Sequence, residues 1–198
     1  MLRLKKTMQE EQNHYMKRTV KHQISGEQIT FLETAEESEG KYLYIEVALP
    51  PQGDGPPLHM HDEFEEEFEV ISGQLTVTLG KEQHILQPGD KRLVTLNTAH
   101  TFTNNHDEPV IFRVRLTPPS QFEQSVRIHY GLIDDGLVDA KGNPKNMAHT
   151  ALILSMQNTL VVGIPFWLQR KLFAWLVKRG HKNNAYKGFE KYTGKLIQ

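Results

Sequence analysis

Between residues 41 and 117, apolar and polar side chains alternate in short runs, and a turn signal closes each run. In KYLYIEVALPP, Leu43, Ile45, Val47 and Leu49 share one phase, and Tyr42, Tyr44 and Glu46 the other. A period of two marks a half-buried strand. The next segment, PQGDGPP, holds three prolines and two glycines in seven residues, which blocks any regular element. Further strands are expected at residues 68–71, closed by Ser-Gly, and at Leu75, Val77 and Leu79, closed by Gly-Lys. Others follow at residues 84–86 before Pro-Gly-Asp, at 93–96 before Asn-Thr-Ala, and at Val110, Phe112, Val114 and Leu116 before Pro-Pro. Many short strands at close spacing predict an all-β sandwich or barrel. No segment of helical period interrupts them, which argues against a doubly wound α/β fold.

The ends of the chain read differently. Residues 1–32 form a polar arm of mixed charge, residues 33–119 the barrel, and residues 120–198 a connector and a basic helical C-terminal extension. GLIDDGLVDAKGNPKN reads as a turn-rich connector. Two helices are expected over 147–162 and 166–179, broken at 163–165, with Leu168, Leu172, Trp175 and Leu176 at helical spacing. Trp167, Phe173 and Trp175 are assigned to helix core, and KNNAYKGFEKYTGK to a loose basic end. The arm has no core of its own, so a homodimer with the arm exchanged or packed across the interface is expected.

Charge is also divided unevenly along the chain. Residues 1–140 carry a balance of −10 and residues 141–198 a balance of +9. The acidic body speaks against a nucleic-acid partner. The basic tail can dock on the acidic outer surface of the barrel, on a partner protomer or on a membrane, and docking on the barrel is the first expectation. No charged residue falls between 146 and 169, but Gln157, Asn158, Gly163 and Pro165 interrupt that stretch. The apolar pieces are far short of the roughly 20 residues a span requires. The early positive charges are not followed by an apolar run, so no secretory signal is expected and the reading is cytoplasmic.

The chemistry concentrates in one segment. The chain has no cysteine and 10 histidines, so thiol nucleophiles and cysteine-held metals are excluded and a metal site must use His and carboxylate. His59 and His61 stand at i and i+2, which on a strand puts both imidazoles on one face. Glu66 shares its phase with Phe68 and Val70, so this carboxylate points inward while Glu65, Glu67 and Glu69 point to water. An inward carboxylate is costly unless something positive pairs with it. Two neutral imidazoles and a divalent metal would meet that need, and His100 is a fourth candidate on a later strand. Three imidazoles and one carboxylate suit Fe, Mn, Ni, Cu or Zn rather than Ca or Mg. His84, His106 and His129 are read as surface or rim residues. Salt bridges are the default for Arg113 and Arg115.

These residues resemble the two motifs of the cupins. Gly53, His59, His61, Glu66 and Gly73 match every interval of the first motif. Gly89, His100 and Asn104 match the second, with Thr95 where Pro is usual and Asn97 where Gly is usual. Asn tolerates the left-handed conformation, so the turn is expected to survive. The resemblance implies a mainly β fold, a double-stranded β-helix (jelly-roll) barrel with a short C-terminal α-helical extension. It also implies a divalent transition metal held by His59, His61, Glu66 and His100, and a small-molecule ligand in the barrel. The extension resembles that of some single-domain cupins. For function, the resemblance offers dioxygenase chemistry on a small enol or aromatic molecule, with Glu66 as the catalytic proton acceptor and Leu43, Ile45, Val47, Phe68, Val70, Phe102 and Phe112 around the ligand. The rivals are a metal-dependent isomerase or lyase and a non-catalytic ligand-binding module.

Overall fold

The computed structural model describes residues 17–195. Residues 1–16, half of the expected arm, and residues 196–198 lie outside the described residues. The strands run, in chain order, β1 (Thr19–Lys21), β2 (Gln28–Glu33), β3 (Leu43–Leu49), β4 (His59–Met60), β5 (Glu65–Ser72) and β6 (Leu75–Leu79). They continue with β7 (Glu82–Leu86), β8 (Lys91–Val94), β9 (His100–Thr103), β10 (Val110–Thr117) and β11 (Leu160–Val161). Two antiparallel sheets result, one of order β1-β2-β3-β10-β5-β8 and one of order β11-β4-β9-β6-β7. This is the expected jelly-roll barrel.

The alternation read from the sequence sets the packing. Leu43, Ile45, Val47 and Leu49 are buried, as are Val110, Phe112, Val114 and Leu116 on the neighbouring β10. The register pairs Phe112 with Val47 and Val114 with Ile45, so both apolar phases fall on one face. That face meets the second sheet through Phe102, whose ring centroid lies 5.8 Å from Phe68 and 5.1 Å from Phe112. Phe68, Phe102 and Phe112 thus pack on one another as core, together with Leu43, Ile45, Val47 and Val70. On the outer side of the first sheet Arg113 pairs with Glu46 at 3.0 Å, and Arg115 stacks over the Tyr42 ring at 4.0 Å.

The C-terminal region departs from the sequence expectation in four places. The segment read as a connector begins inside a helix, α1 (Phe122–Asp134). Val126, Tyr130 and Ile133 recur at helical spacing within it and are buried. His129 is part-buried in that helix, with Nε2 2.9 Å from the Gly142 carbonyl, so it is no surface residue. Second, α2 (Met147–Met156), capped by the Asn146 side chain, stops six residues before the expected end. The chain turns at Asn158, in the left-handed region at φ 48°, and enters β11 beside β4.

Third, α3 (Phe166–Lys182) does not bury its tryptophans. Trp167 is 62% exposed and Trp175 54%, Phe173 is half-buried, and the buried side carries Gln169 and Gly180. Two cations of the extension do pair with acids of the body, Arg170 with Asp62 and Lys195 with Glu36, while Lys191 pairs with Asp135 within the region after the barrel. Solvent-exposed pairs of this kind are screened and hold little.

Fourth, the segment read as a loose end is anchored. Tyr186 and Phe189 belong to the core, and α4 (Glu190–Thr193) follows them. Two helical glycines make room for the anchoring rings. A Cβ on Gly131 would lie 2.2 Å from the Tyr192 ring, and one on Gly180 2.2 Å from the Tyr186 hydroxyl. Alanine is the better helix former by about 1 kcal/mol. Gly131→Ala is nonetheless expected to lower stability by roughly 1–3 kcal/mol, because overpacking outweighs propensity. Urea denaturation measures this, and adding Tyr192→Ala should return part of the loss.

Candidate metal centre

β4 and β9 are neighbours in the second sheet, and their pairing sets His59 directly opposite His100. His61 follows two residues after His59 on the same face. β5 belongs to the other sheet and brings Glu66 in from across the barrel. All four residues are buried, none more than 7% exposed. The metal-ligating atoms of His59, His61 and His100 lie within 4.8 Å of one another. Glu66 Oε2 lies 2.8 Å from His100 Nε2 and 4.0 Å from His61 Nε2. The structure therefore gathers all four residues singled out in the sequence.

Backbone carbonyls orient the imidazoles. His59 Nδ1 lies 2.8 Å from the Pro57 carbonyl, His61 Nδ1 3.2 Å from that of Asn158, and His100 Nδ1 2.9 Å from that of Thr98. A carbonyl only accepts, so each Nδ1 carries its proton and each Nε2 is aimed at the centre. The Nε2 atoms of His59 and His61 are 3.1 Å apart. In neutral rings locked this way, two lone pairs face each other at hydrogen-bond distance with no proton between them. A divalent cation among the Nε2 atoms and Glu66 resolves that conflict, so the donor set fits a metal. Ring nitrogens held by a second partner are the usual arrangement for ligating histidines.

Charge is divided unequally. Burial first, then the neighbouring His100 and His61 rings, push His59 down to about 4 against the pull of Glu66. Burial also lowers His61, with Glu66 opposing. For His100, burial disfavours the charged form, but the hydrogen bond and charge of Glu66 outweigh it and its pKa is raised. Burial acts against the Glu66 carboxylate too, yet the His100 hydrogen bond and the three imidazoles hold its pKa below the usual range. Without a metal the centre thus contains an imidazolium–carboxylate pair beside two neutral imidazoles.

The other motif positions act on the backbone. Asn97 adopts φ 61°, as its place in the turn requires, and its N–H donates to the His61 carbonyl at 2.7 Å. Asn104 Nδ2 donates to the carbonyls of Pro50 and Glu108, each at 2.8 Å, and so ties two loops together outside the ligand set. Sequence reasoning missed Asn158. Its carbonyl orients His61, and its Oδ1 accepts from the N–H groups of Asp62 at 2.8 Å and Glu63 at 3.2 Å. The available signal was an Asn in a polar break of an apolar stretch, where left-handed backbone is common.

The family model described as the cupin domain matches residues 45–116, which contain all four candidate ligands. An oxidoreductase of Arthrobotrys oligospora is 51% identical over 43 residues, 22% of this chain and 17% of that protein. The matched segment thus spans under a fifth of that curated relative. Among solved structures, a sugar phosphate isomerase of the cupin superfamily from Silicibacter pomeroyi is 24% identical with a TM-score of 0.44, over 49% of this chain and 62% of that one. A predicted oxalate decarboxylase from Thermotoga maritima is 16% identical with a TM-score of 0.45, over 54% and 96%.

Two outcomes are expected. A buried His59 that titrates near 4, against about 6.5 in an unfolded chain, stays neutral in the fold. Between those values the unfolded state binds the extra proton, so this residue's effect is to reduce stability as pH falls through the window and to leave it intact above. Metal uptake below pH 6.5, where a His100 raised above its ordinary value is mostly charged and the lowered His59 and His61 are mostly neutral, should release a proton from His100, at most about one per site. Calorimetry in buffers of different ionisation enthalpy counts it, and release of two or more contradicts the assignment. Asn158→Ala keeps the carbonyl that faces His61 but removes the Oδ1 that braces the Asp62 and Glu63 N–H groups, at a position of positive φ, so it should loosen the loop that carries His61 and weaken metal affinity by about tenfold. Asn158→Asp, which keeps the acceptor, should stay near the parent value in a chelator competition.

Proposed function

We propose that this protein, whose residues 45–116 are a cupin domain, binds a divalent transition metal through His59, His61, His100 and Glu66 and acts as an oxidoreductase of dioxygenase type on a small enol or aromatic molecule. The observation that carries the metal reading is the convergence of three carbonyl-oriented imidazoles on one buried carboxylate. The short match to an oxidoreductase supports the choice of reaction class. A redox-active ion bound there supplies Lewis-acid polarisation and dioxygen activation.

The chain's own residues then have distinct tasks. His59 and His61 enter metal binding already neutral. His100 gives up its proton on metal uptake, and with it the hydrogen bond that holds Glu66 in the charged form. Glu66, released from His100, would then both hold the metal and accept the hydroxyl proton of an enol. Phe64 is stacked on His61 with centroids 4.1 Å apart and restrains that ring.

Oxygen uptake tests the reading. Untagged protein, loaded separately with Fe, Mn, Ni, Cu or Zn, is mixed with a panel of enols and catechols in an oxygen electrode. At least one redox-active metal should support substrate-dependent uptake. His61→Ala should reduce both metal content and uptake by about tenfold or more, with a native circular dichroism spectrum. Stoichiometric metal without oxygen uptake would move the assignment to a metal-dependent isomerase or lyase. Failure to retain any of the five metals would overturn the metal reading itself.

A further inference from the structure

α3 is held to the body along one face only. Gln169 Oε1 accepts from the Val161 N–H at 3.0 Å, and its Nε2 donates to the carbonyls of Val161 and Ile164 at 2.8 and 2.9 Å. That clamp fixes which side of the helix faces outward. On the outward side Trp167, Leu168, Leu172 and Trp175 are 45–62% exposed, and Ile164 and Phe166 lead into them. Leu168, Leu172 and Trp175 follow one another at helical spacing as a continuous stripe. So much contiguous apolar surface on one helix marks an interaction face.

The charges around the stripe indicate what covers it. α3 contains Arg170, Lys171, Lys178, Arg179 and Lys182 and no acidic residue. The Lys171 ammonium lies 5.4 Å from the Trp167 ring centroid, and the Arg179 guanidinium 5.4 Å from that of Trp175. Each exposed indole is therefore edged by a cation. A second copy seated on the same face by two-fold symmetry would set these cations against their own equivalents. A bilayer surface presents an anionic layer over an apolar one, and it matches both features at once. Tryptophan is also the side chain that favours the boundary between those layers. No helix among the described residues is long and apolar enough to cross a membrane, so the contact lies in the plane of the surface. We infer that the outward face of α3 is a docking surface for an anionic lipid membrane.

The two tryptophans of this face are the only two in the chain, so intrinsic fluorescence reports on it directly. The full-length protein is titrated with vesicles of phosphatidylcholine alone and of phosphatidylcholine mixed with phosphatidylglycerol. The mixed vesicles should shift the emission to the blue, shield it from acrylamide and carry the protein into the pellet, and high salt should reverse all three. Phosphatidylcholine alone should do so about tenfold more weakly, because the electrostatic contribution is absent. Trp167→Ser with Trp175→Ser should abolish sedimentation, and Lys171→Glu with Lys178→Glu should remove the preference for the anionic lipid. Both pairs lie at exposed positions, and an unchanged circular dichroism spectrum confirms the fold. The inference fails if neither vesicle changes the emission. It also fails if emission is already blue in buffer and reddens on dilution, which assigns the face to a second copy. Blue emission independent of dilution and of lipid assigns it instead to residues of the chain itself, and equally overturns the inference.

Discussion

Glu66 stands in the inward phase of a barrel strand, and a carboxylate in that position needs positive charge within reach. Much of the local architecture meets this requirement. β4 and β9 are paired so that His59 and His100 sit side by side under the carboxylate. The turn before β9 uses Asn97 in the left-handed region, which lets its N–H brace the loop carrying His61. Three backbone carbonyls then occupy the Nδ1 atoms and leave the Nε2 atoms no direction but inward. A proton shared between His100 and Glu66 neutralises only part of this arrangement. The close approach of His59 and His61 remains unresolved until a cation enters.

One of those carbonyls comes from outside the segment that matches the cupin-domain model. Residues 45–116 supply every candidate ligand, but Asn158, almost one hundred residues after His61 in the chain, supplies the group that orients it. The chain returns to the site because α2 stops at Met156 and β11 pairs with β4. Had α2 continued as a helix, the edge of the second sheet beside His59 would have lost its neighbour. The short strand thus makes the extension part of the centre's outer layer, and the rings of Tyr186, Phe189 and Tyr192 fasten the rest of it against α1 and α2.

The parts of this structure legible in the sequence are those governed by a local period. Alternation gave the inner faces of β3, β5 and β10, and parity alone separated Glu66 from Glu65 and Glu67. Motif intervals gave the four candidate ligands. The misreadings fell where long-range packing decides. Leu160 and Val161 are apolar enough to continue a helix, and it is pairing with β4 that makes them extended. Trp167 and Trp175 look like core by composition, yet the clamp at Gln169 turns them outward. Tyr186 and Phe189 sit in a basic, Asn- and Gly-containing segment, and nothing local in it shows that Gly131 and Gly180 leave room for aromatic rings.

The same clamp joins the two halves of the molecule. Gln169 holds β11 from one side while β4 holds it from the other, and Arg170 on the next position of α3 pairs with Asp62, the residue after His61. The path from α3 to the His61 ring therefore runs through the Gln169 hydrogen bonds to Val161, along the backbone from Val161 to Asn158, and through the Asn158 carbonyl. Packed elements of this kind move as units rather than deforming continuously. α3 and the His61 ring thus share β11 and the turn at Asn158 as a common support. The exposed face and the buried centre in this way rest on the same two-residue strand.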